Sequence, residues 1–439
     1  GLHQAGGNRM ELCHAVLTSL LHGPALDHWT LPNGVRCVAA EMPEAPLTCL
    51  DLWCRAGSFT EAAGEEGMAH FLEHMVFKGS ERLEAGAFDL AIEALGGSSN
   101  AATGFDDVHF HVLIPPETSQ QALDLLLDLV LHPALEQESF RLEREVVLEE
   151  MAQYADQPDE LVLQQLLKQG CPDHPYGRPI LGERSSLLAM DPEAMRTFHQ
   201  RRYRGHHCCL AISGPKAREL RATVESSALA QLPPDPQPSA DAINQVEPRG
   251  LRLQPGRHTM ELKRLESARL LMLWSGSTAQ DQAWVMGADL ATTLLGEGRR
   301  SRLVAQLREE LRIAESVDMD LSVLEQGCLM TLEISCEPED LEQVEATVHE
   351  QLNQAAPFTA EELARGRQLV GNGLRYSLES VGQVAAQAAS QMLWNRPQEL
   401  LQPLQHLQAW TEERLSEDLM PLLQPSRACS LIATPAGQR

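Results

Sequence analysis

A chain of 439 residues, 43% of them hydrophobic, is long enough for about two to four domains with ordinary globular cores, and at 4% aromatic those cores must be mostly Leu, Val, Ala and Ile. Against 35 basic side chains stand 62 acidic ones, and the net charge of −27 argues against nucleic acid or an anionic membrane as partners; it reads first as a general solubility surface, and otherwise favours basic partners. No apolar run is long enough to span a membrane, and the ten cysteines form no C-x-x-C pair, which fits free thiols in a reducing compartment.

The chain begins at Gly1, so its first residues read as a processed or appended start, and residues 1–27 are expected to be partly disordered. Residues 10–21, MELCHAVLTSLL, are apolar, but a glutamate follows the methionine and no basic cluster immediately precedes them. They make a poor signal peptide, and the cytoplasm is the expected compartment. Residues 28–41 read as two strands about an Asn33-Gly34 turn. Residues 47–54, LTCLDLWC, read as a buried strand. Residues 67–80, GMAHFLEHMVFKGS, read as a helix, since helix formers dominate and no proline interrupts. A second helix over 85–95 ends at Gly96-Gly97. Residues 98–103, SSNAAT, make a short strand, and 107–114, DVHFHVLI, alternate as a strand does. An amphipathic helix over 116–131 follows, then a long charged helix over 138–154 with Glu143, Val146, Val147 and Glu150 on one face. Helices at 159–169, 192–203 and 216–232, a loop at 174–182 and a strand at 208–213 complete the first half.

Residues 233–250, PPDPQPSADAINQVEPRG, are the sharpest break in composition and read as a linker. After it the order of elements repeats. Strands are expected at 257–262, 268–274, 314–323, 328–335 and 428–433. Helices are expected at 280–294, 299–311, 341–355, 359–376, 381–394 and 411–420. The fold class is therefore α+β, with two similar domains at 28–232 and 251–439, each a mostly antiparallel sheet packed with helices.

The chemistry concentrates in His70, Glu73 and His74, spaced H-x-x-E-H. On a helix the two histidines sit at i and i+4, one turn apart, where both imidazoles reach one zinc ion, and Glu73 can reach a water on it. A catalytic zinc needs a third protein ligand, and the long charged helix is its natural source: Glu149 and Glu150 both follow the apolar run Val146-Val147-Leu148. Glu150 faces the same way as Glu143, which would stand behind it as an auxiliary group. His109 and His111 share one strand face, but no third ligand is evident, so they read as a structural or solvated pair. Cys208-Cys209 read as core, and Arg299-Arg300 as a solvated loop.

With these residues in view, the chain resembles the pitrilysin/insulinase family of inverzincins, most closely its mitochondrial-processing-peptidase-like branch. AHFLEHMVFKGS is similar to the family's zinc helix, EREVVLEEM to the surroundings of its third ligand, and GGSSNAATGFDD to its G-x-x-N-A-x-T segment. The family's third ligand is a glutamate about 75 residues downstream; here 150 − 74 = 76, which selects Glu150 over Glu149. The resemblance implies one Zn2+ per chain held by His70, His74 and Glu150, with Glu73 as general base and Glu143 as an assisting catalytic residue. It implies that Asn100 and Ala101 lie on an edge strand that pairs with substrate, and that Arg308 binds substrate. It also implies that each subunit forms half of a clamshell chamber. The family tyrosine seven residues after that arginine is Glu315 here, which cannot donate to an oxyanion unless protonated. The expected function is thus a zinc-dependent endopeptidase hydrolysing unfolded peptides, and the acidic charge hints at basic ones. A heterodimer with a homologous Arg/Tyr-bearing subunit is expected over a homodimer. The alternative is a non-catalytic, core-protein-like subunit of a larger assembly.

Overall fold

The computed structural model describes residues 22–234 and 250–437. The apolar segment 10–21 and most of the linker expected at 233–250 lie outside them. Among the described residues no helix is long and apolar enough to cross a membrane.

Two sheets organise the chain. The first contains β1 (Leu26–Thr30), β2 (Arg36–Glu41), β3 (Thr48–Cys54), β4 (Ser98–Thr103), β5 (Val108–Ile114) and β6 (Cys208–Gly214), in the order β1-β2-β6-β3-β5-β4. The second contains β7 (Gly256–Leu262), β8 (Ala268–Ser275), β9 (Ser316–Ser322), β10 (Leu329–Cys336) and β11 (Cys429–Pro435), in the order β7-β11-β8-β10-β9. Setting β1 aside, the first and last strands of each half pair in parallel, β2 with β6 and β7 with β11, and every other pairing is antiparallel. The two halves thus share one winding, as the repeated order of elements predicts. The Asn33-Gly34 turn forms a three-residue loop: the Gly34 N–H donates to Leu31 O at 2.9 Å, and Gly34 takes φ +93°, a left-handed conformation that costs glycine little.

The longer helices are α1 (Met68–Val76), α2 (Ala87–Ala94), α3 (Ser119–Leu131), α4 (Gln137–Ala155), α5 (Pro158–Gly170), α6 (Pro192–Arg202), α7 (Gln282–Gly296), α8 (Leu341–Asn353), α9 (Ala360–Ser377) and α10 (Val381–Leu393). Compactness divides the chain differently from the chain-order division at 233–250. One unit comprises residues 22–148, 180–234 and 374–402, and the other 149–179, 250–373 and 403–437. Each sheet therefore borrows a helix from the other half: α10 packs on β2, β3 and β6, and α5 packs on the corresponding strands β7, β8 and β11.

In the first unit one sheet face meets α10, where the Ser213 hydroxyl donates to Val381 O at 2.5 Å. The other face packs under α1, α2 and α3. Although aromatics are scarce, they gather here: Phe71 and Phe140 lie 4.6 Å apart, and Phe77 lies 6.0 Å from Phe110 and 6.2 Å from Phe88. Phe71, Phe88, Phe110 and Phe140 are fully buried and each contributes about 1.5–3 kcal/mol, so this cluster fixes the layer that carries α1. In the second unit β8 alternates between two cores. Leu270, Met272 and Trp274 join α7, while Leu271 and Leu273 join Val162 and Leu166 of α5. A sheet buried on both faces reads as a continuous apolar run, as ARLLMLWS does.

Three expected helices differ. Residues 216–232 form a 3-10 turn and the short helix Arg221–Glu225. The Ser226 hydroxyl turns back to the Ala222 and Thr223 carbonyls, and Ser227 to Val224, competing with helix continuation. Residues 299–311 and 411–420 each become a short α-helix running into a π-helical turn, Ala305–Glu310 and Leu415–Leu419.

Candidate metal centre

Helix α1 is placed by its start. Gly67 caps it at φ +101°, and the Glu61 carboxylate accepts from the Gly67 and Ala69 N–H groups at 3.1 and 2.8 Å. A carboxylate there satisfies orphan donors and complements the helix dipole. A Cβ on Gly67 would meet Leu181 O at 2.7 Å, and one on Gly182 would meet Glu66 O at 2.3 Å. Two backbones touch at these glycines, so the loop read at 174–182 ends as the stop against which the helix is seated.

On α1 the His70 and His74 rings meet edge to face, with centroids 4.6 Å apart. His70, His74 and Glu150 each offer a ligand atom, and these atoms all lie within 4.8 Å of one another. Glu150 is carried by α4, an unbroken helix rooted by buried Phe140, Glu143, Val147 and Leu148. Glu149 points outward and is exposed. Val146, grouped on the Glu143–Glu150 face by spacing, is instead 48% exposed, because residue 147 rather than 146 completes the i, i+4, i+7 stripe.

Glu143 is buried, and its Oε1 accepts from His74 Nδ1 at 3.0 Å while Oε2 sits 3.3 Å from Lys78 Nζ. Burial pushes its carboxyl up, but the His74 hydrogen bond and the Lys78 charge outweigh this, and the net shift is downward. A carboxylate on Nδ1 fixes the His74 tautomer and leaves Nε2 for a metal. Glu143 thus reaches the candidate donor set through His74. Burial, and secondarily the neighbouring His74, pulls His70 down to about 4, so its ring is neutral at physiological pH, the form that ligates. Two imidazoles and a carboxylate suit zinc.

Glu73 accepts from the Thr103 hydroxyl at 2.7 Å, a bond that ties it to β4. Thr103 is the threonine of the G-x-x-N-A-x-T segment, but its bond to Glu73 shows only once β4 is seen under α1. β4 is the edge of its sheet. Asn100 and Ala101 lie on it, and Asn100 Oδ1 accepts from the Ala101 N–H at 2.8 Å. Arg308 lies in the π-helical turn of the second unit and pairs with Glu309 at 2.9 Å. Glu315 Oε2 accepts from Ser267 Oγ at 2.9 Å.

A helix bearing H-x-x-E-H, joined by a glutamate from a second helix, is the donor set of the inverted zinc-peptidase class. The comparisons agree: residues 36–184 match "Insulinase (Peptidase family M16)" and residues 189–370 match "Peptidase M16 inactive domain". The chain belongs to the peptidase M16, or insulinase, family. It is 30% identical over 315 residues to an "uncharacterized zinc protease" of Mycobacterium leprae, covering 70% of this chain and 68% of that one. It is 25% identical over 421 residues to the "uncharacterized zinc protease YmxG" of Bacillus subtilis, covering 94% and 99%. In fold it is similar to a protease from Helicobacter pylori, with a TM-score of 0.83 at 19% identity over 94% of this chain and 100% of that one. A Pseudomonas fluorescens structure described as a peptidase M16 inactive domain gives 0.81 at 19% identity over 93% and 98%.

Proposed function

We propose that the chain is a zinc-dependent endopeptidase acting on unfolded peptides, with Glu73 as general base. The observation that carries this reading is Glu73 itself. It is held by Thr103 of an edge strand, one residue before a histidine of the candidate donor set. A zinc carrier would need His70, His74 and Glu150 but not a carboxylate so placed. Zinc bound there supplies polarisation of the scissile carbonyl and acidification of a water. Glu73 takes the proton from the attacking water and returns it to the leaving amine. Glu143 keeps His74 in one tautomer throughout. The outer edge of β4 offers backbone groups to an extended substrate at Asn100 and Ala101, where the Asn100 side chain must first release the Ala101 N–H.

The test is cleavage of a quenched peptide library by the zinc-loaded chain and by Glu73→Gln. The expected result is a loss of about 10²–10⁴-fold in the variant, with zinc content unchanged. Undiminished cleavage by Glu73→Gln would sink the proposal.

Two further parts belong to this reading. Glu315 stands where an oxyanion donor is expected, so the working form is a dimer with a homologous subunit that supplies Arg and Tyr. Co-purification from native cells should recover that subunit, and full activity of this chain alone would count against it. The net charge of −27 favours basic peptides, and raised salt should erase a preference for Lys- or Arg-containing peptides over neutral ones. A preference that salt leaves unchanged would remove charge as its cause. The nine described cysteines are all free and buried, which supports a reducing compartment such as the cytoplasm.

A further inference from the structure

His109 and His111 of β5 find a third partner. In the antiparallel pairing of β3 with β5, Asp51 lies opposite His111, and Trp53 lies opposite His109. These four side chains share one face of the first sheet. Phe110 and Thr103, which line the layer beneath α1, share the other, since Thr103 pairs with Val108 and Ala101 with Phe110. The cluster is therefore separate from the centre on α1.

Its geometry is that of a donor set. Asp51 is buried, and its Oδ1 lies 3.0 Å from His109 Nδ1. The two imidazoles stack at 5.6 Å, and the Trp53 ring stacks on His109 at 4.3 Å, which fixes the orientation of that ring. A ligand atom from each of Asp51, His109 and His111 lies within 4.8 Å of the other two. An Asp51–His109 ion pair alone would account for two of these residues. It leaves His111 unexplained, because His111 Nδ1 is buried with no hydrogen-bond partner among the described residues. A buried polar nitrogen left unbonded costs free energy that a ligand would recover.

We propose that Asp51, His109 and His111 form a second metal site, which takes a borderline divalent cation of the zinc, cobalt, nickel and copper class. Two imidazoles and one carboxylate are the ligand types such ions prefer over magnesium or calcium, and they leave coordination positions for water. Zinc bonds of about 2.0–2.2 Å place its ligand atoms closer together than 4.8 Å, so small ring rotations complete the set. Asp51 balances one of the two positive charges.

The experiment counts metal on the full chain after chelation, reloading with zinc and desalting. Wild type should hold two equivalents per chain and His111→Asn one. His111→Asn keeps the Asp51–His109 bond, and circular dichroism and thermal melting confirm that it folds. A His70→Ala/His74→Ala chain should still hold one equivalent, so this site is read independently of the centre on α1. Loaded with cobalt, that double variant should show visible d–d absorption that disappears when His111→Asn is added. Zinc that is lost entirely in His70→Ala/His74→Ala, or a count unchanged by His111→Asn, would overturn the proposal.

Discussion

At the scale of single residues, the candidate donors on α1 are held by contacts to neighbouring side chains as much as by their own spacing. Glu143 is the clearest case, because its carboxylate grips His74 Nδ1 at 3.0 Å and anchors Lys78 from the other oxygen. Glu143→Gln keeps the shape but removes the charge, and zinc affinity should fall about 10- to 100-fold in a competition titration with a chromophoric chelator. His199 gives a prediction about acid stability. It is buried, its Nε2 donates to Val130 O at 2.8 Å, and burial pulls its pKa down to about 4 against that bond. The unfolded chain takes up this proton below about pH 6.5, while the folded chain resists it down to about 4. Stability from this group is therefore full above that window and is lost as pH falls through it. The urea midpoint should drop between pH 7 and pH 5, and His199→Gln should flatten that drop; an equally steep fall in the variant would assign the acid sensitivity elsewhere. The candidate donors His70 and His74 were legible because H-x-x-E-H spacing is local, whereas Glu150 was told from Glu149 by the family resemblance. The bond from Thr103 to Glu73 and that between Asp51 and His109 were not. Both depend on which strands and helices meet, and no local pattern encodes a partner 30 or 58 residues away.

At the scale of elements, the seat of α1 matters more than its propensity. The helix has nine residues, too few to be stable alone, and its first turn is held by Glu61 and by the contact of Gly67 with the 181–182 backbone. Gly67→Ala must relieve both a positive φ and a 2.7 Å approach to Leu181 O. We expect a loss of about 1–3 kcal/mol in denaturant unfolding together with weaker zinc binding, because shifting the start of the helix shifts both histidines. Unchanged zinc affinity in a destabilised variant would show that α1 is seated by its aromatic underside instead. Glycines at 67 and 182 could be read as punctuation, but not as two halves of one contact. The helix expected over 299–311 failed for a related reason. Its composition is helical, yet the Leu311 N–H bonds Gln306 O at 2.9 Å, and the Ile313 and Ala314 N–H groups both turn to Leu307 O, at 3.0 and 3.2 Å. Propensity does not distinguish that wider winding from an α-helix.

At the scale of the whole molecule, the repeated winding of the two sheets was visible in the order of strands and helices, but the exchange of α5 and α10 was not. Both are ordinary amphipathic helices, and nothing along the chain tells a helix which of two similar sheets it covers. The exchange has a physical consequence. α10 buries Val384, Ala385, Ala388, Ala389, Met392 and Leu393, and its last carbonyls are bound by two buried arginines of the first unit. Arg36 donates to Met392 O at 2.6 Å and to Leu393 O at 2.7 Å, and Arg55 Nε donates to Leu393 O at 3.0 Å. Cationic donors at the C-terminus of a helix complement both its orphan carbonyls and its dipole. A chain truncated after residue 232 therefore loses the cover over β2, β3 and β6, and leaves two guanidinium groups without the carbonyls that bind them. Such a fragment should aggregate or elute as an expanded species in size-exclusion chromatography, even though it retains His70, Glu73, His74 and Glu150. Fusing residues 374–402 back to it through a flexible linker should restore zinc binding and a cooperative urea transition, although α5, whose own partners are β7, β8 and β11, stays uncovered. If the fragment ending at 232 is itself compact and cooperative in urea, α10 is an accessory to the first unit rather than part of its core.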